Sequence, residues 1–189
     1  MTAPAGAPTG AAARHGFASS LSADEFKALF RGHPGGVAVI TADAGDGPVA
    51  LTATSVVSVS AEPPLLIFSI SALSSSSDAL SRAETVVVHL LDANDIDVAK
   101  LGASRGVDRF AQAQSWSRLP TGEPVYDGVR AWVRCAVIDR MDAGTSTVIA
   151  AHALASGFGR ELGAGDAGDA LVYHNRAWHR LSDQSRIDA

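Results

Sequence analysis

Residues Thr52 to Phe68 read TATSVVSVSAEPPLLIF. Thr52-Ala53-Thr54-Ser55 is a hydroxyl-rich strand that runs into an alternating segment, Val56 to Ser60. Pro63-Pro64 breaks the run, and Leu65 to Ile70 then reads as a buried strand. Small hydroxyl residues beside β-branched ones suit a strand with one face in a core. The other face can offer hydrogen bonds to a flat polar ligand. A few residues on, Ser74-Ser75-Ser76-Ser77-Asp78 places a run of hydroxyls at a helix start. A phosphate favours such hydroxyls and unpaired amides. Asp78 would repel it and is expected to point outward. Together the two stretches read as a ligand wall and a phosphate cradle. Taken alone, each also fits an ordinary strand and a solvated loop.

Outward from this stretch the chain reads as short strands joined by turns. Ser22 and Glu25 have capping-box spacing and open a short helix bearing Phe26, Leu29 and Phe30. Val37 to Thr41 and Val49 to Ser55 flank the turn 43–48 as a hairpin. A short helix over Asp78 to Arg82 precedes a valine-dense strand, Thr85 to Leu91. Asn94 is expected to cap a helix that ends near Gly106, and Asp108 to Gln114 is expected to be a helical turn. Ser115 to Gly128 reads as a Pro/Gly-punctuated loop. Val129 to Asp142 and Thr147 to Ala155 form a long hairpin about Gly144, followed by a Gly-rich loop over 157–169. A tight hairpin, Leu171 to Tyr173 and Ala177 to Leu181, closes the pattern. Seven to nine strands and three short helices predict an antiparallel barrel or sandwich. No G-x-G-x-x-G follows a strand, which argues against a doubly wound dinucleotide fold.

The chain has 189 residues, 47% hydrophobic and 19% charged, with a net charge of -5. That supports one folded domain with a real core and argues against disorder. The expected organisation is a flexible arm over 1–20, a domain over 21–183 and a tail over 184–189. The absence of a basic run argues against nucleic acid as a partner. No apolar run approaches the length of a membrane helix, and the N-terminal segment lacks the apolar core of a secretory signal. The single cysteine, Cys135, fits a cytoplasmic location. It alternates with Val133 and Val137 and reads as a buried filler. His89, within the valine strand, reads as a core or interface histidine. His174 and His179 read as a surface hairpin pair, and no metal site is expected. Trp132 and Trp178 read as packing residues.

Several of these residues together resemble the short-chain flavin reductases, which have an FMN-binding split barrel. The resemblance spans about Phe26 to Leu181. It rests on Gly36-Val37-Ala38-Val39-Ile40-Thr41, on Thr52-x-x-Ser55-x-x-Ser58-x-Ser60 with Pro63-Pro64, on Arg109-Phe110, on Cys135 in a long strand, and on Leu171-Val172-Tyr173. It implies a mainly β fold: a six-stranded antiparallel split β-barrel of Greek-key type with a few short flanking helices. It also implies a homodimer with flavin near the interface, and electron transfer from NADH or NADPH to FMN, or to FAD. Many relatives pass reduced flavin to a separate monooxygenase component. By resemblance, Thr52, Ala53, Thr54 and Ser55 contact the isoalloxazine edge. Ser69, Ile70 and Ser71, with Ser75, Ser76 and Ser77, surround the ribityl chain and phosphate, and Phe110 lies close to the flavin. The family's Gly-Asp-His, whose histidine places the nicotinamide, is replaced here by Gly144-Thr145-Ser146. Ala151-His152-Ala153 stands where relatives have Gly-Arg-Val. Candidates for the nicotinamide side are therefore Ser146, His152 and Trp178, with no catalytic residue assigned. The substitution leaves open a second reading: a flavin carrier or sensor without efficient reductase activity.

Overall fold

The computed structural model describes residues 20–161 and 168–187. The arm expected over 1–20 lies outside the described residues except at Ser20, as do residues 188 and 189 of the tail. The chain enters α1 (Ala23–Arg31) through the expected capping box. The Ser22 hydroxyl accepts the Glu25 N–H, and the Glu25 carboxylate accepts the Ser22 N–H at 2.9 Å. These bonds satisfy two amides that the first turn would otherwise leave open. No residue of α1 is buried, and Leu21, Phe26, Leu29 and Phe30 stand uncovered.

Short strands follow: β1 (Gly35–Gly36), β2 (Ala38–Asp43), β3 (Pro48–Ala53), β4 (Val57–Ala61) and β5 (Pro64–Ser71). Then come α2 (Ser77–Arg82), β6 (Thr85–Leu90), α3 (Ile96–Ala103), β7 (Trp116–Arg118) and β8 (Pro124–Tyr126). The chain ends with β9 (Ala131–Ala143), β10 (Ser146–Gly157), β11 (Ala170–His174) and β12 (Ala177–Leu181). The main sheet runs β3-β2-β6-β9-β10-β5-β4, and every join is antiparallel. The fold is therefore mainly β with few helices, as expected, but this sheet has seven strands where six were expected. Its end strands, β3 and β4, do not pair with each other. The seventh strand arises because Pro63-Pro64 does not end the sheet. It turns the hydroxyl-rich stretch into a β4–β5 hairpin. β1, β11 and β12 form a second sheet, and β7 and β8 a third.

The period of two along β2 and β6 divides the core. Ala38, Ile40, Val86 and Val88 pack with Phe68, Ile70, Cys135 and Ile149 on one side. Val37 and Val39 pack with Ala99, Phe110, Tyr126 and Leu171 on the other. Both faces of β2 are covered, so its sequence is nearly continuous in apolar residues. Burial pushes the Cys135 thiol up to about 11, in keeping with an inert filler.

Polar pins cross this core. His89 is fully buried, with Nδ1 at 3.0 Å from the Val39 carbonyl. Its Nε2 accepts the Tyr126 N–H at 3.0 Å, so the proton sits on Nδ1. Burial lowers its pKa to about 4, despite the opposing effects of the Val39 carbonyl and Asp95. Arg160 reaches Asp92, Asp95 at 2.6 Å and the Gly128 carbonyl at 2.7 Å. It thereby ties the end of β10 to the turn before α3.

Four local expectations are corrected. Asp92, not Asn94, caps the entry to α3, through a single 3-10 turn over Ala93–Asp95. The Asp92 carboxylate accepts the Asn94 N–H at 2.8 Å, so Asn94 lies inside the turn. α3 stops at Ala103 rather than near Gly106. Asp108 to Gln114 is not a helical turn, because the Asp108 carboxylate accepts the Phe110 N–H at 2.9 Å and turns the chain locally. Helical geometry appears only at Ala113–Ser115. The segment read as a loop over 115–128 contains the β7–β8 hairpin, whose strands of three residues are too short to show a period.

Candidate functional site

β3 is an outer strand of the main sheet. β4 pairs with β5 only as far as Ile67, so among the described residues the β4 side of β5 has no strand partner beyond that point. The chain crosses from β3 to β4 through Thr54, Ser55 and Val56. The Ser55 hydroxyl accepts the Ser69 N–H at 3.0 Å and bridges the two edges. A strand edge carries unspent N–H and C=O groups. The edges at Thr52–Ser55 and Ser69–Ser71 converge around this serine, which also donates to the Ser69 carbonyl at 3.4 Å, while the Ser71 carbonyl accepts the Ser74 N–H at 3.0 Å.

The side chains here are largely committed to the fold. Thr52 donates to the Ala99 carbonyl at 2.6 Å and thereby docks α3. Ala53 and Ile70 point into the core. Ser71 accepts the Leu73 N–H at 3.2 Å. Thr54 is exposed beside Gly35, where an added Cβ would lie 2.9 Å from that of Thr54. This stretch thus offers backbone edges and small side chains rather than a row of free hydroxyls.

At the other end of β3, the three serines separate. Ser76 is buried and donates to the Ala50 carbonyl at 2.8 Å. Ser77 donates to the Ser74 carbonyl at 2.8 Å. Ser75 remains exposed, facing Arg109, whose guanidinium lies 3.4 Å from the Ser75 hydroxyl and 3.2 Å from that of Ser76. Arg109 also donates to the Ser104 carbonyl, and its buried Nε has no partner among the described residues. α2 has only six residues, so its N-terminus adds little to an anion site. Arg109 supplies the positive charge. Asp78 points outward, 85% exposed and paired with Arg82, as expected.

Tyr126 orients the arginine segment, its hydroxyl donating to the Arg109 carbonyl at 2.9 Å. Phe110 is buried, stacked on Tyr126 at 5.3 Å and set edge-on to Trp116 at 4.9 Å. It therefore braces the segment from within. A cavity of about 400 Å³ beside Arg109 is lined by Val98, Leu101, Gln112 and Tyr126 among others.

The three nicotinamide-side candidates are not brought together. Ser146 pairs with Ser71, at the serine end of β5. His152 pairs with Leu65, six residues along β10 and therefore roughly 20 Å from Ser146. At that distance His152 cannot stand in at Ser146's position. Trp178 belongs to the second sheet, packed on Tyr173 at 4.8 Å. Tyr173 in turn pairs with Gly35, beside Thr54. His174 and His179 do form a surface pair, with ring centroids 5.5 Å apart. Among the described residues no three potential metal ligands cluster.

The Thr54–Ser55 end opens on a groove of about 630 Å³. Lys27, Phe30, Arg31 and His33 line one side, and Tyr173, Asn175 and Arg176 the other.

The family described as flavin reductase like domain matches residues 30–182. The chain belongs to this family. An NADH:FMN oxidoreductase from Rhodococcus qingshengii is 39% identical over 162 residues, 86% of this chain and 83% of that protein. A flavin reductase domain protein from Arthrobacter sp. FB24 superposes with a TM-score of 0.78 at 29% identity, covering 88% of this chain and 98% of the other. BorF, the flavin reductase component of a bacterial two-component tryptophan halogenase, gives 0.72 at 30% identity, over 86% and 99%. Within this flavin reductase-like chain, the sequence reading assigned no role to Arg109, though the residue stood in the motif that carried the resemblance. It also passed over Arg31 and Arg176. The signal available for Arg176 was its place after an asparagine in a two-residue turn, where glycine is the favoured residue.

Proposed function

We propose that this protein is an NAD(P)H-dependent flavin reductase that binds FMN along β3. The observation that carries this is the outer edge of β3, which meets β5 at the Ser55 bridge, set beside a cationic serine cluster. Ala50, bonded to Ser76, and Thr54, at the edge junction, lie about 13 Å apart along one strand. A ring at Thr52–Ser55 and Ser69–Ser71 and a phosphate at Ser75 and Arg109 would span that length. The backbone groups along the outer edge of β3 suit the carbonyl and nitrogen edge of an isoalloxazine. Ser75 and Arg109 suit a phosphate dianion. When bound, flavin supplies the redox chemistry by accepting the hydride of NAD(P)H. The chain's part is to hold the ring edge, neutralise the phosphate and shield the reacting face from water.

FAD is the alternative flavin, since a second phosphate and adenosine could continue past Arg109. Delivery of reduced flavin to a monooxygenase component belongs to the same reading, supported by the role of BorF in a two-component system. So do a split barrel closed through Ser55, a homodimer and a cytoplasmic location. Uncovered apolar side chains on α1 and β4 support the homodimer, and a lone buried Cys135 is in keeping with the location. No described helix is long and apolar enough to cross a membrane.

Ser146, where the resemblance expects histidine, favours a second reading: a flavin carrier that NAD(P)H reduces poorly. Anaerobic mixing of the FMN-loaded protein with NADH and with NADPH separates the two. Bleaching of the flavin absorbance within seconds supports the reductase. An oxidised spectrum that persists for hours with both donors leaves the carrier.

A further inference from the structure

We propose that the β7–β8 hairpin is a clamp for Arg109, with Trp116 and Tyr126 as positioning residues. They set where the guanidinium meets the flavin phosphate, and so how strongly a phosphorylated flavin is preferred over riboflavin. The clamp rests on the flavin reading, because it requires the phosphate to lie at Ser75 and Arg109.

Arg109 lies in a turn between α3 and β7, outside any strand or helix that would hold its backbone. Two side chains of the hairpin take over that task. The Tyr126 hydroxyl donates to the Arg109 carbonyl at 2.9 Å. The Trp116 indole N–H donates to the next carbonyl, that of Phe110, also at 2.9 Å. Trp116 and Tyr126 are direct cross-strand partners, so their side chains stand on one face and reach two successive peptide groups together. The Phe110 ring is held between them, stacked on Tyr126 with 8° between the planes and edge-on to Trp116 at 79°. Burying Phe110 needs only the rings. The two donors do more, because they fix the peptide planes after Arg109 and after Phe110 and so the origin of the arginine side chain.

The hairpin is in turn fixed to the strand pair that carries the serines. In β8, the Pro124 carbonyl accepts the Thr41 hydroxyl, and the Tyr126 N–H donates to His89 Nε2 at 3.0 Å. Thr41 on β2 and His89 on β6 are both buried. Thr41 pairs in register with Ala50 of β3, and the Ala50 carbonyl accepts the Ser76 hydroxyl at 2.8 Å. Ser76 is thus held through Ala50, and Arg109 through β8 and Thr41, to one residue pair in the main sheet. The serine and the arginine lie 33 residues apart in the chain, yet their separation is set by that shared frame. A guanidinium makes directional hydrogen bonds to phosphate at full strength only where its approach is fixed before the ligand arrives.

Two conservative variants test the clamp. Tyr126→Phe keeps the stacked ring and removes one hydroxyl. Trp116→Phe keeps an aromatic ring and removes the indole N–H. Each should weaken FMN by about threefold to tenfold in fluorescence titration, while riboflavin, which lacks the phosphate, stays within about twofold of its native affinity. In an Arg109→Gln background neither change should weaken FMN further, because the cation that they place is gone. Equal losses of FMN and riboflavin, or losses that add in full to that of Arg109→Gln, would make the hairpin structural support alone and overturn the clamp, with the flavin reading intact. Native FMN affinity in both variants would overturn it in the same way. If Arg109→Gln itself leaves FMN affinity unchanged, the phosphate lies elsewhere and the clamp falls with that placement. If the native protein binds neither flavin, both readings fall.

Discussion

Arg109 has no carboxylate partner among the described residues, and its guanidinium rests on two serine hydroxyls. A cation in that setting gains most when a phosphate arrives. Replacing it by glutamine, Arg109→Gln, removes charge-assisted hydrogen bonds, each contributing about 1.5–3 kcal/mol. FMN should then bind at least about tenfold more weakly in fluorescence titration, while riboflavin, which lacks the phosphate, should bind as before. Equal losses for both ligands would mean that Arg109 shapes the segment and does not read the phosphate. His89 belongs to the same scale. Its folded pKa of about 4 lies below the ordinary value of 6.5. Between those values the unfolded chain takes up a proton that the folded chain refuses, so acid favours unfolding. Stability present above pH 6.5 should fall progressively towards pH 4, by up to about 3 kcal/mol. Urea melts at closely spaced pH values measure this, and a flat profile between pH 6.5 and 5 would refute it.

The two elements that shape the site are α3 and the β9–β10 turn. α3 approaches β3 at Gly102, where an added Cβ would lie 2.4 Å from the Thr52 hydroxyl oxygen and 3.2 Å from the Thr52 nitrogen. That hydroxyl is already bound to Ala99, so it cannot swing away without losing its bond. Gly102→Ala should therefore lift α3 from the sheet and cost about 1–3 kcal/mol in urea melts, with weaker FMN binding alongside. A variant as stable as the native chain would show that the helix moves freely. The β9–β10 turn places Ser146 opposite Ser71, and the Thr145 carbonyl accepts the Ala72 N–H at 3.0 Å. That backbone bond does not depend on side-chain identity. Thr145→Asp with Ser146→His should therefore fold normally and add one hydrogen bond on the nicotinamide side. The expected gain in stopped-flow reduction is threefold to tenfold, corresponding to about 0.5–1.5 kcal/mol, with FMN affinity nearly unchanged. No gain with either nucleotide would place the donor elsewhere and shift weight to the carrier.

At the scale of the whole molecule, the apolar surface is unevenly covered. Phe26, Leu29 and Phe30 on α1, Val57 and Val59 on β4, and Ile138, Met141 and Leu154 on the long hairpin all stand exposed. A monomer rarely leaves so many large apolar side chains in water, and two-fold pairing is the commonest way to cover them. Sedimentation at micromolar concentration should give about twice the 19.4 kDa chain mass. Charged substitutions such as Val57→Lys with Val59→Glu should shift the protein towards the monomer and leave its circular dichroism spectrum intact. A native monomer that still binds flavin tightly would contradict the pairing.

Strands β2, β5, β6, β9 and β10 were legible in the sequence because their side chains alternate or run apolar over five residues or more. The capping box at Ser22 and the hairpin at 174–177 were legible because local hydrogen bonds and turn geometry fix them. The buried roles of His89 and Cys135 followed from their valine neighbours. The resemblance supplied the family, on motifs spread along most of the chain. Other features depended on contacts between distant residues. Strands as short as β7 and β8 carry no period and form only against each other. Asp92 displaced Asn94 as a cap because Asp92 is buried beneath Arg160, 68 residues away. Ser55, Ser76 and Thr52 looked like free ligand hydroxyls, but each bonds a carbonyl or amide brought near by folding. Arg109 reached the serine run across 33 residues, and Arg31 came beside Arg176 from opposite ends of the chain. The sequence thus determined which segments become strands and which family they compose, because those are local and periodic properties. Only the tertiary structure decided which polar groups remain free to meet a ligand, because that depends on the partners each group acquires when distant segments pack together.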